Sequence, residues 1–183
     1  MHPRSTTMQA LLAITALVWA GPSHGQPAPA TAAKHPIPQA LKFEHAEDAE
    51  RLALLAKRPG AVGAAARKAI PLFQRNAARE AEFIMAPLAL LPDLADGKVT
   101  PDMAWAVADA DRVKAERERI FQEHTEVTDA LNALITAAER AHDQDAKEFA
   151  EAAAADSLND VEILEPMVLV IGDYLRGKLP AAH

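Results

Sequence analysis

Between Gln39 and Leu175 apolar residues return at alternating steps of three and four, and this rhythm restricts the chain to packed helices more tightly than any other feature it has. A strand would need a step of two. One face carries Leu41, His45, Asp48, Leu52 and Leu55 in the first stretch, and Phe73, Asn76, Glu80, Phe83 and Pro87 in the second. The third carries Val113, Arg117, Ile120, His124, Val127, Leu131 and Leu134; the fourth carries Phe149, Ala152, Asp156, Asp160, Ile163, Met167, Val170 and Tyr174. Polar groups interrupt every stripe. Four such stripes joined by short separators predict an all-α protein, an up-down-up-down four-helix bundle.

Glycine and proline mark the separators. The first helix is expected from about Gln39 to Lys57, ending at Arg58-Pro59-Gly60. The second runs from about Ala61 to Leu91, with Pro71 and Pro87 expected to bend it. Leu91 to Val99 reads as the longest internal loop, and Thr100-Pro101-Asp102 as the start of a third helix reaching about His142. The fourth is expected from about Gln144 to Leu175, before Gly177 and Pro180. Composition agrees: Ala, Leu, Glu, Arg and Lys favour helix, and five Phe, two Trp and one Tyr are too few for a typical sheet protein.

A net charge of −7 with dispersed Lys and Arg argues against a nucleic-acid partner, and the absence of cysteine excludes disulfides, thiolate metal sites and cysteine nucleophiles. No phosphate-binding Gly-rich loop, serine nucleophile elbow or dinucleotide fingerprint is present. Residues 1–25 read as a secretory signal peptide: Arg4 precedes the apolar run Met8 to Ala20, which is short for a stable membrane anchor, and small residues at Val18 and Ala20 or Ser23 and Gly25 offer cleavage sites. A periplasmic or otherwise exported location follows as an expectation. Residues 26–38 read as a flexible Pro/Ala-rich leader, 39–178 as the bundle and 179–183 as a tail. His35, His142 and His183 are expected in solvent, as is most of the charge-alternating run Asp111 to Arg119.

The polar interruptions also repeat. His45 recurs as His124 after 79 residues, Asn76 as Asp156 after 80, Glu80 as Asp160 after 80, Glu82 as Glu162 after 80 and Pro87 as Pro166 after 79. Two pseudo-symmetric helical hairpins about a twofold axis are therefore expected. Each aims a histidine and an x-x-x-acid pair at one interior. Glu80, Asp156 and Asp160 are costly to ionise there unless a cation, a proton or water compensates them. Imidazoles and carboxylates suit Fe, Mn or Zn. Pairing of His45 and His124 with the facing carboxylates, without metal, is the alternative.

In Leu41-Lys42-Phe43-Glu44-His45, Arg79 to Leu91, Gly97 to Met103, Glu123-His124 and Val161 to Pro166, the chain resembles the hemerythrin-like (HHE cation-binding) family over about Ile37 to Lys178. The resemblance implies a bundle around a non-haem di-iron site, in proteins that bind dioxygen or sense iron and oxygen. It implies metal ligation by His45, Glu80, His124 and Asp160, and two positions depart. Asn76 stands where the family's His-x-x-x-Glu has its histidine, and Asp156 where the fourth helix has one. The loss of two imidazoles argues against an oxygen carrier and leaves a carboxylate-rich set of His45, Glu80, His124, Asp156 and Asp160. The leading expectation is thus an exported binding module with an altered or vestigial iron, or other divalent metal, site. Beside it stand a metal-free interaction or envelope-stress protein and a carboxylate iron oxidase or peroxidase.

Overall fold

The computed structural model describes residues 35–180; the signal-type run and most of the leader lie outside the described residues. Helix α1 spans Gln39–Ala56. Helix α2, Gly60–Arg79, continues through a π-helical turn at Glu80–Ile84 into α3, Met85–Leu88. A short α4, Leu91–Ala95, and a 3₁₀ turn at Pro101–Ala104 lead to α5, Trp105–Ala141. Helix α6, Gln144–Asn159, passes through a second π turn at Asp160–Leu164 into α7, Glu165–Lys178. These elements form an all-α four-helix bundle, with no strand among the described residues. Helix α5 packs on α2 and on α6–α7, while α1 lies on α2 and meets α6 along a thin seam.

Local chemistry explains the joints. Helix α5 ends at His142, whose φ of 52° places it in the left-handed region. Its amide donates to the Glu139 carbonyl at 3.1 Å and that of Asp143 to the Ala138 carbonyl at 2.9 Å, the paired closure of a Schellman end. The Asp143 side chain accepts from the Ala146 amide at 3.1 Å, capping α6. Arg58 pairs with both Asp143 and Asp145, so the α1–α2 turn is tied to that cap. The expected loop Leu91–Val99 contains α4 instead. Pro92 suits a first turn, and Gly97, at φ +74°, lets the Lys98 amide reach the Asp93 carbonyl at 2.9 Å. Thr100 occupies the cap position before Pro101 without accepting a side-chain hydrogen bond.

Two large apolar clusters fill most of the interior. At one end Leu52, Leu55, Ala66, Leu131, Leu134 and Ala150 meet; at the other Phe83, Ile84, Val113, Ile120, Val168 and Leu175. In the second cluster α5 and α7 touch so closely that a Cβ on Gly172 would fall 2.2 Å from the Ala110 Cβ. Between the clusters lie the buried polar groups Asn76, Glu80, His124, Ser157 and Glu165.

The π turns flank that layer and begin on Glu80 and Asp160, 80 residues apart. Each accommodates a proline that follows it. In a regular α-helix the ring of Pro87 would strike the Phe83 carbonyl and that of Pro166 the Glu162 carbonyl, and neither proline can donate; a wider turn relieves both problems. Each π turn also inserts one residue into the helical repeat, which corrects the expected fourth stripe. Ile163, Val170 and Tyr174 are exposed, whereas Val168, Ile171 and Leu175, each one position after Met167, Val170 and Tyr174, are buried. Ala152 and Arg117 are likewise exposed, with Ala150 and Ala153 facing the core. Pro71 remains inside α2. His35 stacks on Trp105 at 3.7 Å between ring centroids rather than lying free, and Ile37, placed in the leader, is buried.

Candidate metal centre

Glu80 is the hub of the polar layer. Its side chain, 2 % exposed, receives the Asn76 Nδ2 amide on Oε1 at 2.7 Å. Asn76 precedes it by one helical turn, so a single stretch of α2 supplies both the carboxylate and its holder. His45 of α1 brings Nε2 to 3.4 Å from Glu80 Oε2, and His124 of α5 brings Nε2 to 3.1 Å from Oε1. Asp160 arrives at the start of the second π turn. One ligand atom each from His45, Glu80 and Asp160 lie within 4.8 Å of one another, and this group can hold a metal ion.

His124 is oriented from behind by Ser157 of α6, whose Oγ lies 3.1 Å from Nδ1. Which of the two donates depends on the imidazole tautomer, and Nε2 faces the Glu80 carboxylate. Glu165, the first residue of α7, places Oε1 3.6 Å from the same Nε2. Four buried atoms in this layer lack a hydrogen-bond partner: Asn76 Oδ1, Glu80 Oε2, His124 Nε2 and Glu165 Oε1. Three are acceptors, and the fourth is an imidazole nitrogen facing two carboxylates. A cation satisfies such a set, whereas a donor-poor protein interior does not.

The electrostatics show the same deficit. Burial, reinforced by Glu80, pushes the Asp160 carboxyl well above its usual range against the pull of His124. Burial raises Glu165 to about 7, again with His124 opposing and Glu80 adding to the rise. For His124 burial disfavours the imidazolium, but Glu80, Asp160 and Glu165 outweigh it and the pKa is raised. Protons are thus retained where positive charge is scarce.

Of the five residues expected from the sequence, His45, Glu80 and Asp160 converge, and His124 touches Glu80 from the opposite side. Asp156 lines the same small cavity, about 20 Å³, without joining the close group. That volume suits one water-sized occupant. Glu165, Ser157, Glu44 and Asp48 are additions. The repeat could not signal Glu165, because the residue before the other proline is Ala86. Ser157, three residues before Asp160, was visible by helical spacing alone.

Outside the layer, Arg79 and Glu123, the neighbours of Glu80 and His124 in sequence, form an ion pair between α2 and α5. Arg79 also reaches Glu116 at 2.6 Å, and Arg112 joins Glu116 and Glu82 at 2.7 Å each. Burial opposes ionisation of Glu123, but Arg79 and Arg119 hold its pKa below the usual value. The run Asp111 to Arg119 therefore braces α2 as well as facing solvent. No protein-family model, curated protein or solved structure matches this chain.

Proposed function

We propose that the polar layer is a divalent-cation centre and that the protein is an exported hemerythrin-like binding module with a carboxylate-rich, altered iron site. The observation that carries this reading is the set of four partnerless buried polar atoms gathered on Glu80, His124, Glu165 and Asn76. His45, Glu80 and Asp160 would hold the cation, with His124, Asp156 and Glu165 next to them. When bound, iron supplies positive charge and one-electron redox capacity. The chain's own part is to aim carboxylates and imidazoles: Asn76 fixes Glu80, Ser157 fixes His124, and the apolar clusters on either side exclude water. Oxygen carriage is disfavoured by Asn76 and Asp156, which replace nitrogen ligands with an amide and a hard carboxylate. Export rests on the N-terminal apolar run, and intact mass of the native protein tests it: a chain beginning near Gly21 or Gln26 is expected, and retained Met1 contradicts it.

The test of the centre is anaerobic ferrous loading, removal of free metal, elemental analysis and exposure to air. The wild-type chain should retain at most about one ion without an oxo-bridge absorption band. Asn76→His with Asp156→His should raise uptake, because it restores a His-x-x-x-acid pair in each hairpin. Near two irons with that band in the wild type contradict an altered site. A double variant that stays metal-free contradicts the centre. The second reading, a metal-free layer that locks helix register, draws on the Asn76–Glu80 hydrogen bond and the His–Glu80 pairs. It expects no retained metal in either protein.

A further inference from the structure

The two seams that flank the centre differ in charge. On the α2–α5 side the acids are matched: Glu82, Glu116, Glu123 and Glu126 pair with Arg112, Arg79, Arg119 and Arg75. On the α1–α6 side Glu44, Asp48 and Asp156 are half-buried, and none pairs with Lys or Arg among the described residues. They stand close together across the seam.

All three carboxylates line the cavity into which the buried Asn76 and Glu80 also face. Asn76 is 6 % and Glu80 2 % exposed, and each keeps one oxygen without a partner. The cavity holds about one water-sized particle, too little for an organic substrate. It also opens between α1 and α6, which meet over few residues. An acid-lined opening over unsatisfied buried acceptors, opposite a seam lined with arginine, focuses cations inward from one side.

We propose that Glu44, Asp48 and Asp156 form an acidic vestibule through which a divalent cation passes between α1 and α6 to His45 and Glu80, so that the folded protein loads and releases its ion along this seam. This rests on the metal-centre reading and adds its route and its consequence: the ion is exchangeable cargo as much as a resident group. Oxygen-only ligands at the mouth suit a cation that still carries water, and the imidazole lies deeper.

The test follows Co²⁺ binding to the mature protein by stopped-flow visible absorption at low and high salt. Wild type is compared with Glu44→Gln/Asp48→Asn and with Glu126→Gln, a charge removal on the opposite seam. The double variant should load about tenfold more slowly at low salt and lose most of the salt dependence. Its loaded spectrum should match wild type, and Glu126→Gln should load at the wild-type rate. A double variant that loads as fast as wild type overturns the vestibule and leaves the centre standing. An altered loaded spectrum makes these acids ligands and also overturns it. Absence of any protein-dependent Co²⁺ spectrum in the wild type overturns both readings.

Discussion

Ser157 makes one hydrogen bond in the polar layer, to His124 Nδ1, and that contact sets how the ring is turned. Replacing it with alanine removes the Nδ1 partner while leaving a small side chain against α5. The expected result for Ser157→Ala is a 10- to 100-fold weaker metal affinity, measured by competition with a chelator, with a stability change of only about 1 kcal/mol. Unchanged affinity would show that His124 is oriented by packing alone. Asn76 illustrates the same scale from the other side. Its amide donates to Glu80 Oε1 at 2.7 Å, so a weakly ligating side chain still holds the carboxylate in place. Residue types at His45, Glu80, His124 and Asp160 were legible because ionisable groups stood in apolar stripes. Glu165 was not, because the face on which it lies is displaced by the turn before it.

That displacement belongs to the helices. Pro166 lies just after the π turn at Asp160–Leu164, and Pro87 just after that at Glu80–Ile84. If proline widens these turns, Pro166→Ala restores an amide donor and lets the helix return toward α geometry. Thermal stability should then hold or rise, since proline is about 3 kcal/mol worse than alanine inside a helix. Metal affinity should fall at least tenfold as Asp160 and Glu165 rotate relative to His124. Circular dichroism melting and chelator competition together check this; a variant with lower stability and intact affinity contradicts it. Helix positions were readable from periodicity and from Arg58-Pro59-Gly60, and a bend was expected at Pro87 but not at Pro166. Periodicity could not show that an extra residue entered the fourth helix, so Val168, Ile171 and Leu175 were missed in favour of their neighbours. The α4 turn was missed because proline and glycine punctuate short helices as well as loops.

The whole molecule sandwiches uncompensated charge between two apolar clusters, and its stability should carry that signature. Asp48, Asp160, Glu165 and Glu44 have folded-state pKa values above their unfolded ones, and so does His124. Between about pH 5 and 7 the folded metal-free chain therefore binds more protons than the unfolded chain, and stability falls as pH rises through that window. Glu82, Glu116, Glu123 and Asp143, lowered mainly by arginine partners where burial opposes them, act oppositely, but only in the acid range below about pH 4.5. Thermal melts of chelator-treated protein should give a higher Tm at pH 5.5 than at pH 7.5, and a divalent ion should shrink the difference by stabilising the neutral-pH state. A Tm that rises with pH over this range in metal-free protein contradicts the assigned charge deficit. The all-α bundle and its paired hairpins were legible at this scale, since four stripes and one repeat agree on them. The one-sided distribution of unpaired acid was not, because which acids face arginine depends on helix packing rather than on spacing.

The central claim, that buried acceptors around Glu80 form a cation centre, is tested most directly by anomalous diffraction from crystals grown with Mn²⁺ and measured on both sides of the manganese edge. One strong peak is expected in the polar layer, about 2.0–2.5 Å from ligand atoms of His45, Glu80 and Asp160. An ordered layer with no peak there, or peaks confined to surface carboxylates, would contradict the account.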